Sequence, residues 1–194
     1  LLHVASELGN IDVFKYLYSF DKIDILMKDK CQRTVLHYAC QSGNIDLVKY
    51  IISLNILDIN AKDRYLTTVL QYGCKSGNLY LVKYLISLNI FDLKFRNIEG
   101  KTCLHFACEN ESIPLIRYLI FYQRLDITIK DRFRSDILHY ACKLTTIKLA
   151  EYIISLEKLN ICSVDSAKNI LLHHCCENGN IELVKFIISL KEID

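Results

Sequence analysis

Thr34-Val35-Leu36-His37-Tyr38-Ala39-Cys40-Gln41-Ser42-Gly43-Asn44-Ile45-Asp46-Leu47-Val48-Lys49-Tyr50-Ile51-Ile52 is the stretch that decides the architecture. Thr34 can cap a helix, because its hydroxyl accepts from a backbone N–H left open in the first turn. The spacing predicts a helix over 35–42 behind it. Gly43 stands where a left-handed residue ends a helix, and Asn44 opens the next one as its N-cap. That second helix is predicted over 45–54, with Leu47, Val48, Tyr50, Ile51 and Leu54 forming one apolar stripe. Helices this short are marginal alone, so each must bury its stripe on a neighbour.

The neighbour is supplied by repetition. Leu2, Leu36, Leu70, Leu104, Leu138 and Leu172 fall at intervals of 34 residues. His3, His37, His105, His139 and His173 keep the same interval, with Gln71 in the sixth slot. So do Tyr16, Tyr50, Tyr84, Tyr118 and Tyr152, followed by Phe186. Residues 29–62 and 63–96 share 19 of 34 positions. A fixed period of this size means stacked supersecondary units. The frames are one partial frame over 1–28, whole frames over 29–62, 63–96, 97–130 and 131–164, and a last frame over 165–194. They read as a single array, with no linker or second domain. The expected fold class is all-α, an α-solenoid of helix–turn–helix units.

Composition narrows the function classes. The 194 residues are 52% hydrophobic and 24% charged, and 24 Lys and Arg against 22 Asp and Glu leave a net charge of +2. Bulk basic charge of the kind that marks a nucleic-acid binder is absent. No apolar run reaches the ~18 residues a membrane span needs. Nine cysteines cannot all pair, and Cys40, Cys74, Cys108, Cys142 and Cys176 follow the 34-residue period. Equivalent positions in stacked helices lie about 8–10 Å apart, beyond the ~7 Å that disulfide Cα atoms tolerate. The expectation is small buried thiols in a reducing, cytoplasmic setting.

The repeated residues resemble a known family. Thr34-Val35-Leu36-His37-Tyr38-Ala39-Cys40 followed by Gly43-Asn44 is similar to the Thr-Pro-Leu-His-x-Ala-Ala…Gly-His core of the ankyrin repeat. Asp58-Ile59-Asn60-Ala61-Lys62-Asp63 resembles the segment that closes one repeat and opens the next. Some positions depart from the family pattern. The motif proline is replaced by Val35, Val69, Cys103, Ile137 and Leu171. The turn glycine survives only as Gly100, with Gln32, Leu66, Arg134 and Lys168 in its place. The unit is one residue longer than usual, the addition falling around Asn55-Ile56-Leu57.

The resemblance implies antiparallel helix pairs with β-turn fingers projecting sideways. It also implies protein binding through the finger tips and the exposed face of the first helix. Carried over position by position, the contact residues would include Lys30, Cys31, Arg33 and Gln41 in the second frame. In the third they would include Arg64, Tyr65 and Lys75, and in the fourth Ile98, Glu99 and Lys101. In the fifth they would include Arg132, Phe133 and Lys143. Cations dominate this set, and Tyr65, Ile98 and Phe133 supply apolar anchors, so the expected partner is a protein with an acidic surface. The alternative is a structural spacer whose parent protein acts elsewhere.

Other chemistry is weighed against that background. His173-His174-Cys175-Cys176 has ligand-like residues, yet His173 and Cys176 belong to the repeating series, and zinc spacing is lacking. No phosphate-binding glycine loop or nucleophile motif occurs. The expectation is no catalytic residue, no metal and no cofactor. His174 leaves the aromatic slot held by Tyr38, Tyr72, Phe106 and Tyr140. Cys31, between Lys30 and Arg33, is a candidate modifiable thiol. The chain starts inside a first helix, and its last helix is as apolar as the internal ones. From these ends a longer array and end-to-end self-association are expected.

Overall fold

The structure is a computed structural model describing residues 1–20, 22–144 and 147–190. It divides into two compact units, Leu1–Ile98 and Glu99–Asp194. In the first, α1 (Leu2–Glu7), α3 (Val35–Ser42) and α5 (Val69–Lys75) stack side by side. Their antiparallel partners α2 (Ile11–Tyr18), α4 (Ile45–Ser53) and α6 (Leu79–Ser87) lie behind them. In the second, α7 (Cys103–Cys108), α9 (Ile137–Cys142) and α11 (Leu171–Glu177) stack in the same way. They pair with α8 (Ile113–Arg117), α10 (Ile147–Ile154) and α12 (Ile181–Ser189). Each unit is thus a stack of helix pairs, the all-α repeat architecture that the period predicts. The one β feature among the described residues is an isolated antiparallel bridge, Lys62 with Thr68.

Local chemistry explains the boundaries. The Thr34 N–H donates to His37 Nδ1 at 3.1 Å, and the Thr34 hydroxyl lies 2.9 Å from the same nitrogen. Thr102 and His105 repeat this lock. In the third frame Gln71 performs the task, its Oε1 accepting from the Thr68 N–H at 3.1 Å. Asn44 Oδ1 accepts from the N–H groups of Asp46 and Leu47, each at 3.0 Å. Its Nδ2 donates back to the Gly9 carbonyl at 2.7 Å, and Asn78 does the same to Gly43 at 2.8 Å. Asparagine therefore starts α2, α4, α6 and α12, and Asn44 and Asn78 also tie neighbouring turns together.

The centres of the apolar stripes are fully covered, while Tyr50 and Leu54 at the edge are half-buried. Leu36, Leu47, Ile51, Leu70, Leu81 and Leu85 are buried in the first unit, and Leu104, Leu115, Ile116, Leu119 and Ile137 in the second. Truncating any of them to alanine would cost about 2–5 kcal/mol, through lost transfer energy and the cavity left behind. No described helix is long and apolar enough to cross a membrane.

The helix–helix turns show how the sequence departures are absorbed. Gly43 ends α3 with φ 78°, and Glu111 adopts φ 54° at the equivalent place without glycine's freedom. The Thr145-Thr146 turn, where the same departure is expected, lies outside the described residues. Pro114 sits in the first turn of α8, where a missing N–H costs nothing. The residue added to the repeat takes the left-handed region at Asn55, Asn89 and Glu157. In the fourth frame that kink moves to Arg124, because α8 continues into a π-helical turn, Tyr118–Tyr122, closed by the Gln123 N–H on the Tyr118 carbonyl. Phe121 stands there where Ser53, Ser87, Ser155 and Ser189 donate to the carbonyl three residues back.

Candidate protein-interaction surface

The fingers that start at Asp29, Asp63 and Asp131 are each organised by that aspartate, and Asn97 stands in its place in the fourth frame. In the first unit Asp29 Oδ1 accepts from the N–H groups of Cys31 (2.9 Å) and Arg33 (2.8 Å). Asp63 Oδ1 accepts from Tyr65 (2.8 Å) and Thr67 (2.7 Å). The Tyr38 and Tyr72 hydroxyls, reaching out from α3 and α5, donate to the second oxygens of Asp29 and Asp63. In the second unit Asp131 accepts from Phe133, Ser135 and the Tyr140 hydroxyl. The carboxylates are therefore turned inward, and the tips present other residues to solvent.

The tips share one backbone shape. Gln32, Leu66, Gly100, Arg134 and Lys168 all lie in the left-handed region, with φ between 59° and 76°. The turn keeps its geometry even where glycine is replaced. Successive fingers are also joined. The Arg64 N–H donates to the Cys31 carbonyl at 2.8 Å, and the Ile98 N–H to Tyr65 at 2.9 Å, in the first unit. In the second, Arg132 donates to Glu99 and Ser166 to Phe133, both at 2.8 Å. This ladder fixes the tip backbone, so the side chains beside it are presented in a set direction.

The thirteen residues named from the sequence separate by orientation. Lys30, Arg64, Tyr65, Ile98, Arg132 and Phe133 face solvent. Tyr65, Ile98 and Phe133 are 47%, 55% and 50% exposed, large values for apolar side chains. The Arg64 guanidinium lies 5.9 Å from the Tyr65 ring centre, and that of Arg132 lies 5.4 Å from Phe133. Gln41 and Lys75 are half-buried near the ends of α3 and α5, and Lys143 is exposed just after α9. Cys31 is half-buried.

Arg33, Glu99 and Lys101 are partly exposed and make ion pairs within the chain. Arg33 Nη2 and Nε each lie 2.8 Å from Asp29 Oδ2, and the guanidinium covers the Tyr38 ring at 4.5 Å. Burial alone would raise the Asp29 carboxyl, but the Arg33 N–H, the Tyr38 hydroxyl and the guanidinium together hold it at about 2. Lys101 Nζ lies 3.1 Å from Glu99 and 3.4 Å from Glu109. Burial opposes its charge, and the two glutamates outweigh that and raise it. The equivalent positions Thr67 and Ser135 are buried outright. The sequence reading passes over Leu66 and Arg134, which are exposed at the tips. Their signal is present in the chain: a bulky residue replaces the turn glycine. His174 is buried, 3.2 Å from Asp165, in the place of the tyrosine hydroxyls. Among the described residues no group of three or more His, Cys, Asp and Glu side chains could hold a metal ion.

A family model described as ankyrin repeats, in three copies, matches residues 2–94, 55–131 and 104–194. The chain belongs to the ankyrin-repeat family. No curated protein matches it in sequence. Among solved structures, it is similar to a chain in the complex of a predatory endopeptidase from Bdellovibrio bacteriovorus with an immunity protein. The TM-score is 0.71 at 20% identity, covering 98% of this chain and 97% of that one. At that identity the likeness concerns the fold. Ankyrin repeats are in general protein-interaction modules.

Proposed function

We propose that this ankyrin-repeat chain is a non-catalytic recognition module that engages an acidic protein surface through its finger tips and the adjoining ends of the first helices. One observation carries the reading. In both units an aspartate at the finger base, Asp63 or Asp131, is engaged by backbone N–H groups, leaving arginine beside an exposed ring: Arg64 with Tyr65, and Arg132 with Phe133. Arginine and aromatic residues are the usual anchors of protein interfaces. Held on a hydrogen-bonded turn, they lose little entropy on binding. The similar solved chain comes from an assembly of two proteins, which supports a protein partner over a small ligand. Nine cysteines, an odd number, of which five repeat at intervals of 34 residues, favour a reducing compartment as the place of action.

The spacer reading draws on Arg33 and Lys101, two expected contact cations that are engaged within the fold. A paired pull-down, read by quantitative mass spectrometry, separates the two. One bait is the chain itself, and the other carries alanine at Arg64, Tyr65, Arg132 and Phe133. Arg33 is left intact because it anchors Asp29. A partner with an acidic surface, captured at low salt, weakened by added salt and lost on the second bait, is the expected result. Equal recoveries on both baits would favour the spacer.

A further inference from the structure

The Leu1–Ile98 unit carries two adjoining cavities that the finger tips do not use. The first, of about 510 Å³, is lined by Leu26, Ile56, Leu57 and Ala61 together with Lys28 and Lys62. The second, of about 220 Å³, is lined by Ile90, Phe91 and Phe95, again with Lys62. Asn60 and Lys62 belong to both, so the cavities share a wall. They are one site repeated: Lys28, Ile56 and Leu57 of the first stand 34 residues before Lys62, Ile90 and Phe91 of the second. The residue added to each repeat shapes them. Asn55 and Asn89 take the left-handed region, at φ 54° and 55°, and the isoleucine after each, Ile56 and Ile90, is left 45% and 42% exposed. Asp58 and Asp92 also line the cavities, and each gives one oxygen to a backbone N–H, that of Asn60 or Lys94, at 2.9 Å. Lys28 and Lys62 have no ion-pair partner among the described residues. Lys62 Nζ lies 3.9 Å from the Phe95 ring centre, which holds its charge at the shared wall.

We propose that the two cavities form a second docking surface, for an extended acidic peptide in the polyproline II conformation, with two aliphatic side chains three residues apart and a carboxylate between them. Stacked frames stand about 8–10 Å apart. A polyproline II chain has 3 residues per turn and rises about 3.1 Å per residue, so side chains at i and i+3 leave the same side about 9 Å apart. A β-strand turns i and i+3 to opposite faces, and one turn of an α-helix advances only about 5.4 Å. Polyproline II is therefore the backbone whose repeat matches that of the cavities. One aliphatic side chain enters each cavity and takes Ile56 or Ile90 out of water. A glutamate between them reaches Lys62, the cation common to both cavities, and Lys28 pairs with a further acidic residue on the flank. No finger-tip residue takes part, so this surface is separate from the one assigned to the tips.

The test uses the whole 194-residue chain. A phage-displayed library of short random peptides is panned on it, and the consensus peptide is synthesised with a fluorescein label and titrated by anisotropy. The expected consensus has aliphatic residues at i and i+3 with Asp or Glu between them. Its affinity should fall about tenfold or more for the chain carrying both Ile56→Ser and Ile90→Ser, and for Lys62→Gln. Moving the second aliphatic residue of the peptide to i+4 should cost as much. All three substituted side chains are exposed, and circular dichroism confirms that each variant keeps its fold. A library that yields no such spacing overturns the proposal. So does a consensus peptide that binds either variant as tightly as the native chain. The tips are intact in every variant, so this result is read separately from the pull-down.

Discussion

The Tyr72 hydroxyl donates to Asp63 Oδ2 at 2.9 Å, joining a stacked helix to the base of the finger that precedes it. Asp63 is 3% exposed, and its other oxygen already holds two tip N–H groups. Removing the hydroxyl leaves a buried carboxylate oxygen short of a donor. Hydrogen bonds to charged groups contribute about 1.5–3 kcal/mol, so Tyr72→Phe should lower stability by about that amount. Urea unfolding followed by circular dichroism checks it. An unchanged midpoint would mean that water replaces the hydroxyl at no cost.

The tip of the same finger carries strain that can be removed. Leu66 holds φ 59° with its side chain 46% exposed. A non-glycine residue in the left-handed region costs about 1–2 kcal/mol, and glycine gives back about 0.5–1 kcal/mol as backbone entropy of the unfolded chain. Leu66→Gly should therefore raise stability slightly, by about 0.5–1 kcal/mol. A loss of stability in the same unfolding measurement would show that the leucine side chain contributes packing that outweighs the strain.

Acid should weaken the fold through its capping histidines. Burial lowers His37 from its ordinary value to about 4. Its Nδ1 accepts from the Thr34 N–H, a bond that protonation of that nitrogen would break. A histidine depressed in the folded state contributes stability fully present above pH ~6.5, the unfolded value. That stability is lost as pH falls toward 4. The difference is worth about 3 kcal/mol for His37. Burial lowers His105 as well. Asp29, held at about 2, loses its contribution only at still lower pH. Denaturation midpoints at pH 7, 5 and 4 measure the slope. His37→Gln, which reproduces the native Thr68–Gln71 lock, should flatten it; an equally steep slope would place the acid sensitivity elsewhere.

Thiol reactivity should follow burial rather than position in the repeat. Cys162 and Cys176 are exposed and Cys31 is half-buried, while Cys40, Cys74, Cys103, Cys108, Cys142 and Cys175 are buried. Burial also raises the Cys40 and Cys108 thiols well above their ordinary value. Timed alkylation with peptide mapping should modify Cys162 and Cys176 first, Cys31 next, and the six others only on unfolding. Comparable native labelling at Cys40 or Cys108 would contradict this packing.

The sequence by itself determined the repeat, the helix pairs and their caps. Those signals are local and periodic. Thr34 with His37, Asn44 with the N–H groups of Asp46 and Leu47, and the stripe through Leu47 and Ile51 each act within a few residues. Repetition then turns one weak signal into many. The sequence also marked the finger tips as the exposed positions, because turn residues have no stripe to bury.

Tertiary contact decided the rest. Arg33 and Arg64 look alike along the chain. Arg33 turns inward because Tyr38, from the following helix, presents a ring and shares Asp29, whereas Arg64 is left beside the exposed Tyr65. Cys175 and Cys176 are adjacent in sequence, yet Cys175 is buried and Cys176 exposed, because a helix turns neighbouring side chains to different faces. Local sequence sets which backbone forms. Which side chains remain for a partner depends on what the neighbouring element has already engaged, and that is fixed only when the helices stack.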